Sequence, residues 1–403
     1  MIKRLLVMLC AAAVVIGLAG AAPAPKAPRD ELRTQAVLNH PHSADGKDDI
    51  VEHLVELIDG AAKNSKIRVA MYEWEGADSV VNALVKAHEE RDVTVQVLSD
   101  RVNLDDQETP RTGFTKLRDA LGKGGSGSWA RYCGDEEDKP TTYRHACIGS
   151  SLSGEESSMH NKFFLFTRTQ HKSWVVSNGT SNMRPTMQEM WNSQYTEVGN
   201  HHLYDRYLTY FNALTAQKKN PNYYDEQPPE PSAKTTSYHF PRDPDGPDPV
   251  EDNLKKVRCP DTLVRVGVWK LSRLEVAAKL KELAILGCNV SIVANHITPA
   301  ACEILTGGAE VGVEIPEIRT FREGKGTHQK NILISGNYLR PGTKAIFTGS
   351  ANLDYPSLNG GDENIMRILN NDEVYEQFAY IFGEMKADAK VLVENSRDCS
   401  TIE

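Results

Sequence analysis

A histidine, a lysine two residues on and an asparagine some twenty residues further recur as a set in this 403-residue chain. His160-Asn161-Lys162 leads to Gly179-Thr180-Ser181-Asn182, and His328-Gln329-Lys330, 168 residues later, leads to Gly349-Ser350-Ala351-Asn352. One His-x-Lys is commonplace. Two of them, each opening an apolar run and each followed by Gly-[Thr/Ser]-x-Asn, point to two half-sites built to face each other. The chemistry these groups suit is phosphoryl transfer. A phosphodiester is anionic and its ester oxygen leaves poorly, so a catalyst needs a nucleophile, a proton donor on the opposite side and cations on the nonbridging oxygens. Imidazoles, with a reference pKa of about 6.5, can divide the first two tasks. Lys162 and Lys330 can hold the oxygens as point charges, with the amides of Asn182 and Asn352 donating hydrogen bonds and Thr180 and Ser350 expected to contact substrate. Because the lysines supply the charge, neither a metal nor another cofactor is expected.

The surrounding sequence has to place these groups. In His160-Asn-Lys-Phe-Phe-Leu-Phe166 and in His328-Gln-Lys-Asn-Ile-Leu-Ile334, His and Lys are two apart and share one face of a strand, and the remainder reads as buried. Upstream, 49–100 reads as helix (Ile50, Leu54, Val55, Leu57, Ile58), strand (66–72), helix (79–90) and strand (93–98). The second half repeats most of this, with a strand over 263–269, a helix over 274–286 that stops at Gly287, and a strand over 289–294. Each half closes on an aromatic helix, Tyr204 to Phe211 and Tyr375 to Phe382, whose stripe reads as core.

These paired motifs resemble the phospholipase D superfamily, whose signature is His-x-Lys, four residues, Asp, then Gly-Ser-x-Asn, twice. The likeness covers roughly 49–390. It implies an α/β fold of two similar lobes, each a mixed β-sheet flanked by helices, related by a pseudo-twofold axis. Where the family has Asp, this chain has Thr167 and Ser335. The intervals from Lys to Gly are also longer than usual, which suggests wider hairpin loops at 168–173 and 336–343. In the family a carboxylate about eleven residues past the motif Asn holds the other nitrogen of an imidazole. Glu363 stands at that offset from Asn352, whereas Ser193 and Gln194 stand there after Asn182, with Glu189 or Glu197 as substitutes. The resemblance further implies His160 as nucleophile, forming a phosphohistidine, and His328 as acid and later base.

Residues 1–21 carry Lys3, Arg4, an apolar stretch from Leu5 to Leu18 and Ala19-Gly20-Ala21, the pattern of a secretory signal and too short for a membrane span. Its removal leaves about 380 residues, divided here into a first lobe over 30–217, a proline-rich linker over 218–257 and a second lobe over 258–403. The net charge of −9 becomes −11 without Lys3 and Arg4, so no general attraction to nucleic acid or anionic membrane is expected. Six cysteines remain after Cys10, an even number that suits disulfides in an exported chain, with Cys133 and Cys147 bridging a loop. No CxxC spacing suggests zinc. The run Gly122 to Gly127 lacks the Gly-Lys-Ser/Thr ending of a phosphate loop and reads as a flexible connection. The other ten histidines lack the motif context and read as surface or structural.

The function expected is that of a secreted phospholipase D-like phosphodiesterase that hydrolyses glycerophospholipids such as phosphatidylcholine at a membrane surface, with transphosphatidylation when an alcohol replaces water. A metal-independent nuclease is the alternative, and a non-catalytic phosphate-binding protein a third. With both half-sites in one chain, a monomer is expected.

Overall fold

The computed structural model describes residues 31–101, 112–125, 127–134, 145–151, 157–321 and 326–401; the expected signal at 1–21 lies outside them. In chain order the elements are β1 (Gln35–Leu38), α1 (Asp49–Asp59), β2 (Lys66–Met71), α2 (Asp78–Arg91), β3 (Thr94–Ser99), α3 (Thr112–Leu121), β4 (Trp129–Tyr132), β5 (Lys162–Thr169), β6 (Lys172–Gly179), β7 (Ser193–Glu197), α4 (His201–Ala216) and α5 (Tyr223–Glu226). There follow β8 (Thr235–His239), α6 (Pro249–Leu254), β9 (Val257–Leu271), α7 (Leu274–Ile285), β10 (Asn289–Ile297), α8 (Pro299–Thr306), β11 (Glu317–Thr320), β12 (Lys330–Tyr338), β13 (Arg340–Gly349), β14 (Asn364–Leu369), α9 (Asp372–Asp388) and β15 (Val391–Val393). They build two mixed sheets, ordered β1-β7-β6-β5-β2-β3-β4 and β15-β11-β10-β9-β12-β13-β14-β8. Within each, three strands run parallel (β2, β3, β4; β9, β10, β11) and the motif-bearing hairpin joins them antiparallel. The two-lobe α/β fold with a pseudo-twofold relation is therefore present.

The unbroken apolar runs of the motif strands follow from burial on both faces. Phe164 and Phe166 of β5 pack with α1, α2 and α3, while Phe163 and Leu165 face the other lobe. In β12, Ile332 and Ile334 pack toward α7 and α8, and Leu333 faces back. Between the sheets lie α4 and α9, whose aromatic residues Tyr207, Tyr210, Phe211, Tyr375, Phe378 and Phe382 form one shared core with both. The stripe expected to be core is core for both lobes at once.

Two expectations need correction. The longer Lys-to-Gly intervals are not wider loops: β5 and β6 pair out to Thr169 and Lys172 around a two-residue turn, Gln170-His171, with both residues at positive φ. In the second hairpin, β12 and β13 pair to Tyr338 and Arg340 through a bulge, with Leu339 at the turn. The extra residues lengthen the strands. The proline-rich segment, read as a linker, contains the buried edge strand β8, which pairs antiparallel with β14. A five-residue strand flanked by prolines has too short a pattern to announce itself. All six cysteines in the described residues are paired, Cys133 with Cys147 as expected, Cys259 with Cys288 and Cys302 with Cys399. Among the described residues no helix is long and apolar enough to cross a membrane.

Candidate active site

The lobes meet where their parallel strands end. His160 lies two residues before β5, as His328 lies two residues before β12. Each is placed by a short bridge to the opposite lobe: Met159 pairs with Asp362, and Thr327 with Trp191. The His160 amide donates to the Asp362 carbonyl at 3.0 Å, and the His328 amide to the Trp191 carbonyl at 2.9 Å. One step further out, the side chain of Asp100 accepts from the Met159 amide at 2.8 Å, and that of Asn295 accepts from the Thr327 amide at 2.7 Å. The pseudo-symmetry thus extends to the hydrogen bonds that fix the motif.

The support of each imidazole crosses the interface. Nδ1 of His160 meets Oε1 of Glu363 at 2.8 Å, in the other lobe. Nδ1 of His328 donates to the main-chain carbonyl of Thr180 at 2.8 Å, likewise across the interface. A carbonyl only accepts, so this ring carries its proton on Nδ1 and presents Nε2 to the site. The acceptor is neither Glu189 nor Glu197, and the position that answers Glu363 is not Ser193. The Thr180 amide donates to the Ser193 carbonyl as the Ser350 amide donates to the Asn364 carbonyl, so Asn192 stands where Glu363 stands. The segment 183–192 is one residue shorter than 353–363, which displaced the count. Asn192 is turned away, donating to the Met187 carbonyl at 2.9 Å and accepting from the Thr180 hydroxyl at 2.9 Å.

Lys162 and Lys330 are buried and curl back, Nζ donating to the carbonyls of His160 at 2.6 Å and His328 at 2.9 Å. Rings close over the imidazoles from equivalent strand ends, Tyr72 4.7 Å from His160 and Trp269 5.5 Å from His328. Burial pushes the Lys162 ammonium down to about 7 against the opposing carboxylates of Glu363, Glu73 and Asp100. Burial also lifts Glu363 to about 7, with the Lys162 charge acting the other way. His328 is held well below the usual imidazole range by burial and then by the charges of Lys330 and Lys162. Lys330 is likewise lowered, by burial and then by Lys162.

The motif asparagines lie at the site, Asn182 buried and Asn352 half-buried, with Nδ2 of Asn182 donating to Glu73 at 3.2 Å. Thr180 and Ser350 do not meet the expectation of substrate contacts. Both are fully buried; the Ser350 hydroxyl accepts from the Asn364 amide at 3.0 Å, and the Thr180 hydroxyl accepts from the Ser193 amide at 3.0 Å while donating to Asn192. They fasten the ends of the hairpins. The glycines before them leave no room for a side chain, since a Cβ would lie 1.9 Å from Gln194 Oε1 at Gly179 and 2.3 Å from the Asn364 carbonyl at Gly349. Thr167 and Ser335, in place of the family Asp, lie five positions beyond Lys162 and Lys330 along β5 and β12, and Thr167 accepts the Lys66 amide at 2.8 Å. Among the described residues, the one group of three His, Cys, Asp or Glu with donor atoms close enough to share a metal is Asp362 with Cys133 and Cys147, whose sulfurs are bonded to each other. Glu73, Tyr72 and Trp269 escaped sequence reasoning, although aligning the two halves on their strands puts Tyr72 opposite Trp269.

The sequence matches no family model and no curated protein. The fold does have solved counterparts. Phosphatidylserine synthase from Haemophilus influenzae superposes with a TM-score of 0.59 at 12% identity, over 87% of this chain and 87% of that one. Polyphosphate kinase from Porphyromonas gingivalis superposes with a TM-score of 0.54 at 12% identity, over 92% of this chain, which spans about half (54%) of that longer chain. Nuc from Salmonella typhimurium, a phospholipase D family member, matches 46% of this chain and 95% of its own at 16% identity, with a TM-score of 0.31.

Proposed function

We propose that this chain, which has the fold of the phospholipase D superfamily, is a phosphodiesterase that works through a phosphohistidine, and that glycerophospholipids are its substrates. The observation that carries the reading is the convergence of His160, Lys162, His328 and Lys330 from two lobes, with Glu363 2.8 Å behind one imidazole only. Nε2 of His160 attacks phosphorus as the bond to the leaving alkoxide breaks, and protonated His328 gives that oxygen its proton. Burial and the two lysines disfavour the imidazolium in the free site, and the negative charge of a bound phosphodiester restores it. Lys162 and Lys330 receive the nonbridging oxygens, assisted by Asn182 and Asn352. His328, now neutral, then takes a proton from water, whose oxygen attacks phosphorus and releases His160; an alcohol in place of water gives transfer. Glu363 stabilises the charge that develops on His160.

The lipid reading rests on the acidic composition and on likeness over nearly the full length to phosphatidylserine synthase. Export is proposed with it, supported by the pairing of every described cysteine. Assay of the chain in EDTA on phosphatidylcholine vesicles, on single-stranded DNA and on bis(p-nitrophenyl) phosphate tests the phosphodiesterase activity, its independence of metal and the choice of lipid. Cleavage of the vesicles together with the soluble diester is expected. Cleavage of DNA alone would move the reading to a nuclease, and cleavage of nothing, with or without added divalent ions, would overturn it.

A further inference from the structure

Beside the histidines and lysines, the half-sites carry opposite charges at equivalent positions. Register sets Met71 next to Lys162 and Val268 next to Lys330, so Glu73 and Lys270, each two residues on, answer each other. Counting two from the motif asparagines makes Arg184 and Asp354 equivalent as well. Each lobe therefore has one carboxylate and one cation there, in reversed order. Glu73 accepts from Nη1 of Arg184 through both carboxylate oxygens, at 3.1 and 3.2 Å, while Lys270 and Asp354 stand 3.8 Å apart. Both lobes tie this pair to the motif through the main chain, the Met183 amide donating to the Glu73 carbonyl at 3.0 Å and the Leu353 amide to the Lys270 carbonyl at 3.1 Å. Among the described residues only the first lobe adds a direct side-chain link, Asn182 Nδ2 donating to Glu73 Oε2. In the second lobe Asp354 accepts instead from the Ser357 amide at 3.1 Å, and the Asn352 amide donates to the Ser357 hydroxyl.

We propose that Glu73 is a positioning residue of the first half-site: gripped by Arg184, it orients the Asn182 amide and sets its carboxylate charge toward Lys162, the group that is to receive phosphoryl oxygens. The proposal rests on the phosphodiesterase reading. A buried amine surrenders its proton unless carboxylates stand close. Of the three that oppose this at Lys162, Glu363 is engaged with His160 and Asp100 holds the amides of Met159 and His145. Glu73 is the one tied to the phosphate-facing asparagine. A carboxylate serving only to anchor the strand end to Arg184 would explain the ion pair but not its link to Asn182.

The two explanations part on pH. In Glu73→Gln the alkaline limb of kcat/KM on bis(p-nitrophenyl) phosphate should move down by about one unit, so that activity falls about tenfold at pH 8 and little at pH 6. Arg184→Gln, which leaves the Glu73 charge less neutralised, should move the limb the other way. The 13Cε resonance of Lys162, followed by NMR in lysine-labelled protein, should titrate lower in the first variant and higher in the second. An equal loss at every pH with an unmoved limb, or a Lys162 titration indifferent to both changes, overturns the proposal. Absence of turnover by the unsubstituted chain would instead defeat the phosphodiesterase reading, and the NMR titration would still decide the role of Glu73.

Discussion

Two imidazoles of the same motif live in different surroundings, and their chemistry should differ accordingly. His160 has a carboxylate behind it and is the more open; His328 is buried on a neutral carbonyl. His160→Ala and His328→Ala should each lower turnover by about 10²–10⁴-fold or more, since neither attack nor protonation has a substitute. Both variants should melt within a few degrees of the parent, and less than tenfold loss in both would end the two-histidine mechanism. Glu363→Gln should cost about 10–100-fold, the usual effect of losing a group that orients and charges its neighbour. Acid quenching and peptide mapping should find phosphate on His160; phosphate on His328 would exchange the two roles. The pH profile carries a sign as well. Lys162 must be protonated to hold phosphate, and burial has brought it down to about 7, so kcat/KM should fall as pH rises beyond that value. A rate still climbing to pH 9 would show that Lys162 does not act as a cation.

At the scale of strands and loops, the groups of the candidate site were legible in the sequence as a pattern and their supports were not. His160, Lys162, His328 and Lys330 showed because a repeat at matched positions of two strands is a pattern that one sequence can contain. The hidden partner of His328 is a main-chain carbonyl, which no side chain announces. Asn192 was missed because a one-residue shortening of its loop shifted the count, and the long hairpins were misread because added residues were taken up by pairing. Ser193, which stands at the counted offset of the carboxylate, shows the same limit. Its hydroxyl donates to Gln329 at 2.7 Å and accepts from Asn331 at 3.2 Å, in a buried polar cluster that joins β7 to the other lobe, within which Asn331 also donates to Gln329. Ser193→Ala should therefore lower stability by about 1–3 kcal/mol, the cost of stranding a buried amide partner. Matched denaturant curves with unchanged slope would measure it. No change in midpoint would mean that the cluster closes the gap by itself.

Across the whole molecule, the lobes exchange what each needs. The carboxylate for His160 comes from the second lobe, the carbonyl for His328 from the first, and α4 and α9 fill one apolar core between the two sheets. That core has consequences for how the chain unfolds. Two domains with a small polar contact melt separately, whereas here neither sheet can cover its inner face once the other is gone. Residues such as Phe163, Tyr207, Leu333 and Phe382 are fully or almost fully buried against both lobes, and each large apolar side chain exposed would cost roughly 1.5–3 kcal/mol. Calorimetry should accordingly show one transition with equal calorimetric and van't Hoff enthalpies, lost activity and lost structure coinciding along the temperature axis. The Cys302–Cys399 bridge ties the C-terminal segment to α8 across 97 residues of sequence. Replacing both cysteines by alanine should lower the single transition by several kcal/mol without splitting it, since the loop it closes is long. A second transition, in the parent or after the bridge is removed, would mean that one lobe stands alone and that the shared core is not what holds the two halves of the site in register.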